Sequence, residues 1–264
     1  MDIKFFGIKP IKLEGFRFES GFGYSKHVTL KLDKKKHFPI LASQVINWGV
    51  KEPWKLTPEQ VKCKIIDKEK FLYFSALTRN LCCSSKICGF TAIKLGNPPW
   101  GPYSNFVIGQ VKKWNSIKID VEWDFKAKGI TDLVFDVWIT KNKTGVPKET
   151  DIELMVWLDY KNLYPFGVKK EDFQDFSVLY SSVEKTEFIP HQPCGTISYF
   201  YTKNSAERIK FDMIKLILNS VKYFGIKNIK NYWIRTIDFG VEYAKNTKAE
   251  ARIYKLNYDF SSAP

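Results

Sequence analysis

The segment "DIELMVWLDY", Asp151–Tyr160, is typical of a β-strand, because its apolar residues run without a Gly or Pro. Successive side chains of a strand point to opposite faces. Glu153 therefore shares one face with Met155 and Trp157. The opposite face is aliphatic: Ile152, Leu154, Val156 and Leu158. The pattern predicts one face in the core and a second face that carries a carboxylate beside a thioether and an indole.

Two more segments place an acid on one strand face. In "DLVFDVWIT", residues 132–140, Asp136 shares a face with Trp138. In "TIDFGVEY", residues 236–243, Glu242 shares a face with Gly240, whose missing side chain predicts space beside the carboxylate. For one such acid alone, a solvated face or a pair with a lysine is the ordinary interpretation.

Short alternating segments recur along the chain, among them "HVTLKL", "KIDVEWDF", "FSVLYSS" and "EARIYKLNYDF". Without interleaved helices they predict antiparallel sheets in a sandwich or barrel, and no linker divides residues 1–264 into more than one domain. One helix is predicted over residues 205–225, with Ser205 as N-cap, Glu207 in the first turn and Gly225 as C-cap. Its apolar stripe is Ile209, Met213, Leu216 and Ile217.

The chain is basic, with 42 Lys and Arg against 28 Asp and Glu, a formal charge of +14. That balance admits nucleic acid or an anionic membrane as partner. The lysines are scattered, however, and no apolar run reaches membrane-spanning length, so we expect neither partner. Abundant Lys, Glu and Ile with only five Gln resembles hyperthermophile usage.

Five cysteines, an odd number, exclude a complete internal disulfide framework. A disulfide within "CCSSKIC", residues 82–88, or from it to Cys63 or Cys194, is favoured over a metal site. The paired Cys-x-x-Cys spacing of zinc sites is missing, and no metal or cofactor is expected.

The acids on separate strands fit one chemical requirement. Hydrolysis of a glycosidic bond with retention uses a carboxylate nucleophile and a carboxylic acid roughly 5 to 5.5 Å apart. Rigid neighbouring strands can hold two acids in place, and apolar or like-charged surroundings raise the pKa of the acid partner. Aromatic rings nearby would stack on sugar faces.

These segments resemble glycoside hydrolase family 12, the endo-β-1,4-glucanases. The family's nucleophile strand, Glu-Leu-Met-Ile-Trp-Leu, is similar to "ELMVWL" from Glu153, and its Gly-Thr-Glu is similar to "GVE" ending at Glu242. The family's third acid corresponds to Asp136. Further similar segments are "NWG" at residues 47–49, "YSNFVIGQVKKW" at residues 103–114 and "YPFG" at residues 164–167.

The resemblance runs from about residue 45 to the C-terminus, while residues 1–40 match poorly. It implies a β-jelly-roll sandwich of two antiparallel sheets with a concave substrate cleft and one helix. It also implies Glu153 as nucleophile, Glu242 as acid/base and Asp136 as the residue that tunes Glu153. Substrate contacts are implied for Asn47, Trp48, Trp138, Met155, Trp157 and Pro165. At residue 132, Asp replaces the usual family Asn.

We therefore expect a monomeric, extracellular, retaining endo-β-1,4-glucanase acting on β-glucan, of a thermophilic archaeal type. Its leader would be missing from this numbering, because "MDIKFFGIKP" is no signal sequence. A xyloglucan-specific endoglucanase or a xylanase of similar fold is the first alternative. A noncatalytic carbohydrate-binding protein is the second, and a basic protein that binds DNA or anionic lipid is the third.

Overall fold

The computed structural model describes residues 2–6, 11–12, 17–20, 25–30, 40–46, 50, 55–57, 59–81, 83, 87–97, 99, 107–148, 150–163, 179–187, 193–201 and 208–263. Before residue 50 and over 179–201, Tyr199 excepted, only the backbone is described. The described residues form 17 strands and one α-helix. The strands are β1 Asp2–Phe6, β2 Ile11–Lys12, β3 Arg17–Ser20, β4 Ser25–Leu30, β5 Ile40–Ile46, β6 Val61–Asp67, β7 Leu72–Thr78, β8 Gly89–Gly96, β9 Gly109–Gln110, β10 Trp114–Lys128, β11 Thr131–Thr140, β12 Ile152–Lys161, β13 Leu179–Glu187, β14 Pro193–Tyr201, β15 Arg208–Asp212, β16 Trp233–Tyr243 and β17 Lys248–Ser262; the helix is α1 Met213–Phe224.

The strands form two sheets. One has eight strands in the order β15-β10-β17-β7-β6-β3, with β1 and β2 attached through β17. The other has nine strands in the order β13-β14-β12-β11-β16-β8-β5-β4, with β9 attached to β16. Pairing is antiparallel except between β1 and β17 and between β12 and β14. The predicted all-β jelly roll of two sheets with one helix is confirmed.

The core lies between the sheets and contains the aliphatic face of "DIELMVWLDY", as its alternation predicts. Phe135 of β11 stacks on Phe239 of β16 with ring centroids 4.4 Å apart. Phe135 also meets Tyr258 of the other sheet edge-to-face at 6.4 Å. Such aromatic contacts bury large apolar areas and fix the relative position of the two sheets.

The helix begins eight residues later than predicted. Residues 208–212 instead form β15, which pairs with β10, so placing Ile209 on the helix was wrong. The alternation of Ile209 and Phe211 with charged residues is a strand pattern, and the structure follows it. Asp212 is the N-cap, and Gly225 closes the C-terminus with φ 61°, as predicted. Ser205 and Glu207 lie outside the described residues.

Gly240 does not leave the space predicted beside Glu242. A Cβ at this position would lie 2.0 Å from the Thr91 backbone oxygen and 2.6 Å from the Ala92 Cα. The backbone of β8 therefore fills that volume. Because Gly240 has no side chain, the β8 backbone can approach β16 closely, which is a common reason for Gly within a strand.

A disulfide joins Cys83 to Cys88, one of the predicted alternatives. Cys63 is buried with a free thiol, and burial raises its pKa to about 11. The Cys82 and Cys194 side chains lie outside the described part of the chain. Among the described residues, no helix has the length and apolar character needed to cross a membrane.

Candidate active site

The outer face of the nine-stranded sheet, which points away from the core, carries the acids singled out in the sequence. Met155 and Trp157 pack there in a small second cluster with Val134, Phe90 and Ala92. Glu153, Asp136 and Glu242 lie on the same face, and each is only 6 or 7% exposed. Buried carboxyl groups on a sheet need partners, and the strand register shows which partners these have.

Glu153 of β12 lies directly opposite Trp138 of β11. Asp136 lies opposite Met155, which makes Asp136 and Glu153 diagonal neighbours on one face, at about 7 Å between backbones. The Trp138 indole N–H donates a hydrogen bond of 3.2 Å to Asp136 Oδ2. Strand pairing therefore brings the predicted nucleophile beside the predicted third acid.

Glu242 of β16 lies directly opposite Asp132 of β11. Asp132 is fully buried beside Glu242, and neither of its carboxyl oxygens has a hydrogen-bond partner among the described residues. Burial raises the pKa of Asp132 to about 7.

The Glu242 pKa is raised well above its ordinary value. Burial is the main cause, followed by the adjacent Asp132 carboxyl and the charges of Asp136 and Glu153. Glu153 and Glu242 lie opposite Trp138 and Asp132, positions separated along the intervening strand β11. The Glu153 charge is nevertheless among the causes that raise the Glu242 pKa, so the two side chains face the same region of the sheet.

A second row on this face was not predicted from the sequence. Asp136 lies opposite Asp238 of β16, and Asp238 lies opposite Lys94 of β8. Lys94 donates a hydrogen bond to Asp238, which also accepts one from Thr236. The alternation of "TIDFGVEY" puts Asp238 on the Glu242 face, but it could not identify Lys94 as the partner, because pairing across strands is not encoded in either strand alone.

The remaining predicted contact residues divide into two groups. Met155, Trp157 and Trp138 lie on the site face and are buried. Asn47, Trp48 and Pro165 lie outside the described residues. Within the described part of the chain, no group of three or more His, Cys, Asp and Glu side chains is arranged to hold a metal ion.

The site thus places Glu242, whose pKa is raised, and Glu153, which lies diagonal to the buried Asp136, on one face of the sheet. Such a division between two carboxyl groups is how one site holds a proton donor and an anion at the same pH. Glycoside hydrolases use two carboxyl groups in this way, one as proton donor and one as anion.

The family is identified by the sequence. Residues 91–261 match the model of glycosyl hydrolase family 12, and the chain belongs to that family. The match includes Glu153, Glu242 and Asp136, whereas Asn47 and Trp48 precede it. No curated protein matches the chain in sequence.

Solved structures share the fold. A family 12 xyloglucanase from Bacillus licheniformis is 14% identical, with a TM-score of 0.61 over 90% of this chain and 100% of that one. An endoglucanase from Rhodothermus marinus is 12% identical, with a TM-score of 0.62 over 94% of this chain and 99% of that one. Endoglucanase 3 from Trichoderma harzianum is 12% identical, with a TM-score of 0.58 over 95% of this chain and 100% of that one.

Proposed function

We propose that this glycoside hydrolase is a retaining endo-β-1,4-glucanase that cleaves internal bonds of cellulose-type or mixed-linkage glucan. The observation that carries the proposal is the placement of Glu242, Asp132, Asp136 and Glu153 on one buried face of three neighbouring strands. It supports a proton donor and a nucleophile in a single site. Retention also fits the motif "ELMVWL", in which Glu153 occupies the family's nucleophile position.

In the first step, a Glu153 carboxylate oxygen attacks the anomeric carbon while Glu242 gives its proton to the departing glycosidic oxygen. A glycosyl ester on Glu153 forms and the leaving chain departs as an alcohol. In the second step, Glu242 takes a proton from water, whose oxygen attacks the anomeric carbon and releases Glu153. The two inversions leave the β configuration at the new reducing end.

The raised pKa of Glu242 suits this role. A carboxyl group that keeps its proton near neutral pH is the general acid that such a mechanism needs. Asp136, diagonal to Glu153 and fixed by the Trp138 indole, would tune the nucleophile by its own charge.

Trp157 is a candidate sugar contact on the same face. Among the described residues, no acceptor lies within hydrogen-bond distance of its buried indole N–H. Buried indole donors normally find a partner, and a substrate hydroxyl would provide one. Tyr160 holds the ring edge-to-face, with centroids 6.2 Å apart. Met155 would line the cleft beside it.

The main alternative is a xyloglucan-specific endoglucanase, because family 12 xyloglucanases share this fold. Comparing kcat/KM on barley β-glucan, carboxymethylcellulose, xyloglucan and xylan distinguishes these activities and also tests a xylanase. Release of no reducing sugar from any of them would instead favour a noncatalytic carbohydrate-binding protein. We further propose that the enzyme is exported as a monomer, a location that the Cys83–Cys88 disulfide supports.

The roles of the two glutamates are tested by Glu153→Gln and Glu242→Gln. We expect Glu153→Gln to lose at least about a hundredfold in kcat/KM on any substrate, because the covalent step needs the carboxylate. Glu242→Gln should lose a similar factor on β-glucan but retain activity on aryl glycosides, whose leaving groups need no proton.

The matched control is Glu250→Gln, which alters a partly exposed glutamate paired with Lys248 in the other sheet. Its activity should stay within about twofold of wild type. Retention of more than about a hundredth of wild-type activity by Glu153→Gln would exclude this residue as nucleophile.

A further inference from the structure

Lys94 and Asp238 form a buried ion pair on the site face. They lie directly opposite each other on β8 and β16, and their side chains are 6 and 1% exposed. The Lys94 ammonium also lies 5.1 Å from the Phe90 ring centroid. Removing two charges from water is costly, and well-packed apolar residues often give equal or greater stability. Stability alone therefore does not account for a charged pair here.

The Lys94–Asp238 pair lies next to Asp136 of the site. Asp136, Asp238 and Lys94 occupy successive strands at one register level, with Asp238 in the middle. A change in the charge of either partner therefore changes the electrostatic potential at Asp136, which lies next to Glu153. Asp238 is the direct neighbour of Asp136, and Lys94 lies one strand further away.

The ionisable groups near the pair can be named strand by strand. Strand β5, on the far side of β8, has the sequence "ILASQVI" and contains no ionisable residue. From the second sheet, Tyr258 is close enough for the Asp238 charge to raise its pKa. On the described part of the site face, the other ionisable groups are the Tyr160 phenol and the carboxyls of Asp132, Asp136, Glu153 and Glu242.

We propose that Lys94 and Asp238 are positioning residues, which together control the charge that Asp136 carries beside the nucleophile. The inference rests on the proposed function in assigning Glu153 as nucleophile. Lys94 and Asp238 themselves contact no reacting atom in this scheme. They act through Asp136.

The two partners act on Asp136 in opposite directions. Burial is the main cause that raises the Asp136 pKa to about 7, and the Asp238 charge raises it further, whereas the Lys94 charge lowers it. Loss of Lys94 should therefore favour the protonated form of Asp136, and loss of the Asp238 charge should favour the ionised form. Loss of both should nearly cancel.

The test is the cycle of Lys94→Met, Asp238→Asn and the double variant. The midpoint of Asp136 protonation is followed by carboxyl 13C NMR, with the signal assigned by its loss in Asp136→Asn. We expect Asp238→Asn to lower the midpoint by about one pH unit and Lys94→Met, one strand further away, to raise it by about 0.7 unit. The double variant should lie within about half a unit of wild type.

The acid limb of the kcat/KM profile should move in the same directions as the NMR midpoints. A matched control is the surface pair of exposed Lys126 and half-buried Asp124 on β10, whose Nζ and Oδ2 atoms lie 3.9 Å apart. Lys126→Met and Asp124→Asn should leave both readouts unchanged, because solvent screens exposed charges.

Unchanged midpoints in both single variants, or shifts in the same direction, would overturn the proposal and leave the pair a structural feature only. Should Lys94→Met fail to fold, Asp238→Asn and the double variant decide the matter, since the former must shift the midpoint and the latter restore it. A chain that hydrolyses no glycan would refute the proposed function, while the NMR titration would still decide the role of the pair.

Discussion

At position 132 this chain has Asp where the family pattern has Asn, which adds an ionisable group opposite Glu242. An amide at this position could donate to Glu242, whereas the carboxyl of Asp132 can do so only when protonated. The structure puts Asp132 directly opposite Glu242 and buries it fully. The two acids therefore titrate as a pair, and apparent pKa values belong to both together.

Replacing Asp132 with Asn should flatten the pH dependence of stability. The Asp132 pKa is raised by burial to about 7, so in the folded state the group keeps a proton that the unfolded chain releases near pH 4. Its favourable contribution is complete below about pH 4 and is lost as pH rises through about 7. Asp132→Asn should remove up to about 1.4 kcal/mol per pH unit from the fall in unfolding free energy between pH 5 and pH 7.

Urea unfolding at pH 5, 6, 7 and 8 measures this slope. Asp120→Asn is the control, because hydrogen bonding to Arg208 lowers the Asp120 pKa to about 2, below the range tested. Asp120→Asn should thus shift stability equally at every pH. Parallel curves for wild type and Asp132→Asn would contradict a raised pKa at Asp132.

At the scale of elements, the start of α1 depends on Asp212. Its Oδ1 accepts hydrogen bonds from the Ile214 backbone N–H at 3.0 Å and from the Ile117 backbone N–H at 3.1 Å. It therefore caps the helix and also ties it to β10. Asp212→Ala should cost about 2 to 3 kcal/mol of unfolding free energy, one cap and one further backbone hydrogen bond.

Asp212→Asn keeps an acceptor oxygen, so it should cost less than about 1 kcal/mol. Chemical denaturation of the three proteins at one pH measures the difference. Equal losses in the Ala and Asn variants would show that charge, and not the accepted hydrogen bonds, is what the helix start requires.

Alternation within each strand predicted the faces of β11, β12 and β16 correctly, since it depends only on the local two-residue repeat. The segment "RIKF" before Asp212 was misassigned to the helix. Over so few residues, one apolar pattern can fit both the two-residue repeat of a strand and the 3.6-residue repeat of a helix. The partners of Asp238 and Glu242 could not be predicted. They depend on strand order and register, which arise from packing across the whole sheet.

At the scale of the whole molecule, the two sheets have different roles. The eight-stranded sheet carries surface ion pairs, such as Asp120 with Arg208, Lys210 and Lys255. The nine-stranded sheet carries the buried acids on its outer face. The excess of lysine is thus consistent with a solvated surface on part of the fold, and the chemistry depends on the few charges that are withdrawn from water.

The anomer formed first during hydrolysis distinguishes covalent catalysis by Glu153, with Glu242 as acid/base, from a single displacement. A 1H NMR time course with barley β-glucan should show β reducing ends first, followed by mutarotation to the α form. An initial α product would contradict the double displacement. Release of no product from any β-glucan would contradict the assignment of these residues to hydrolysis.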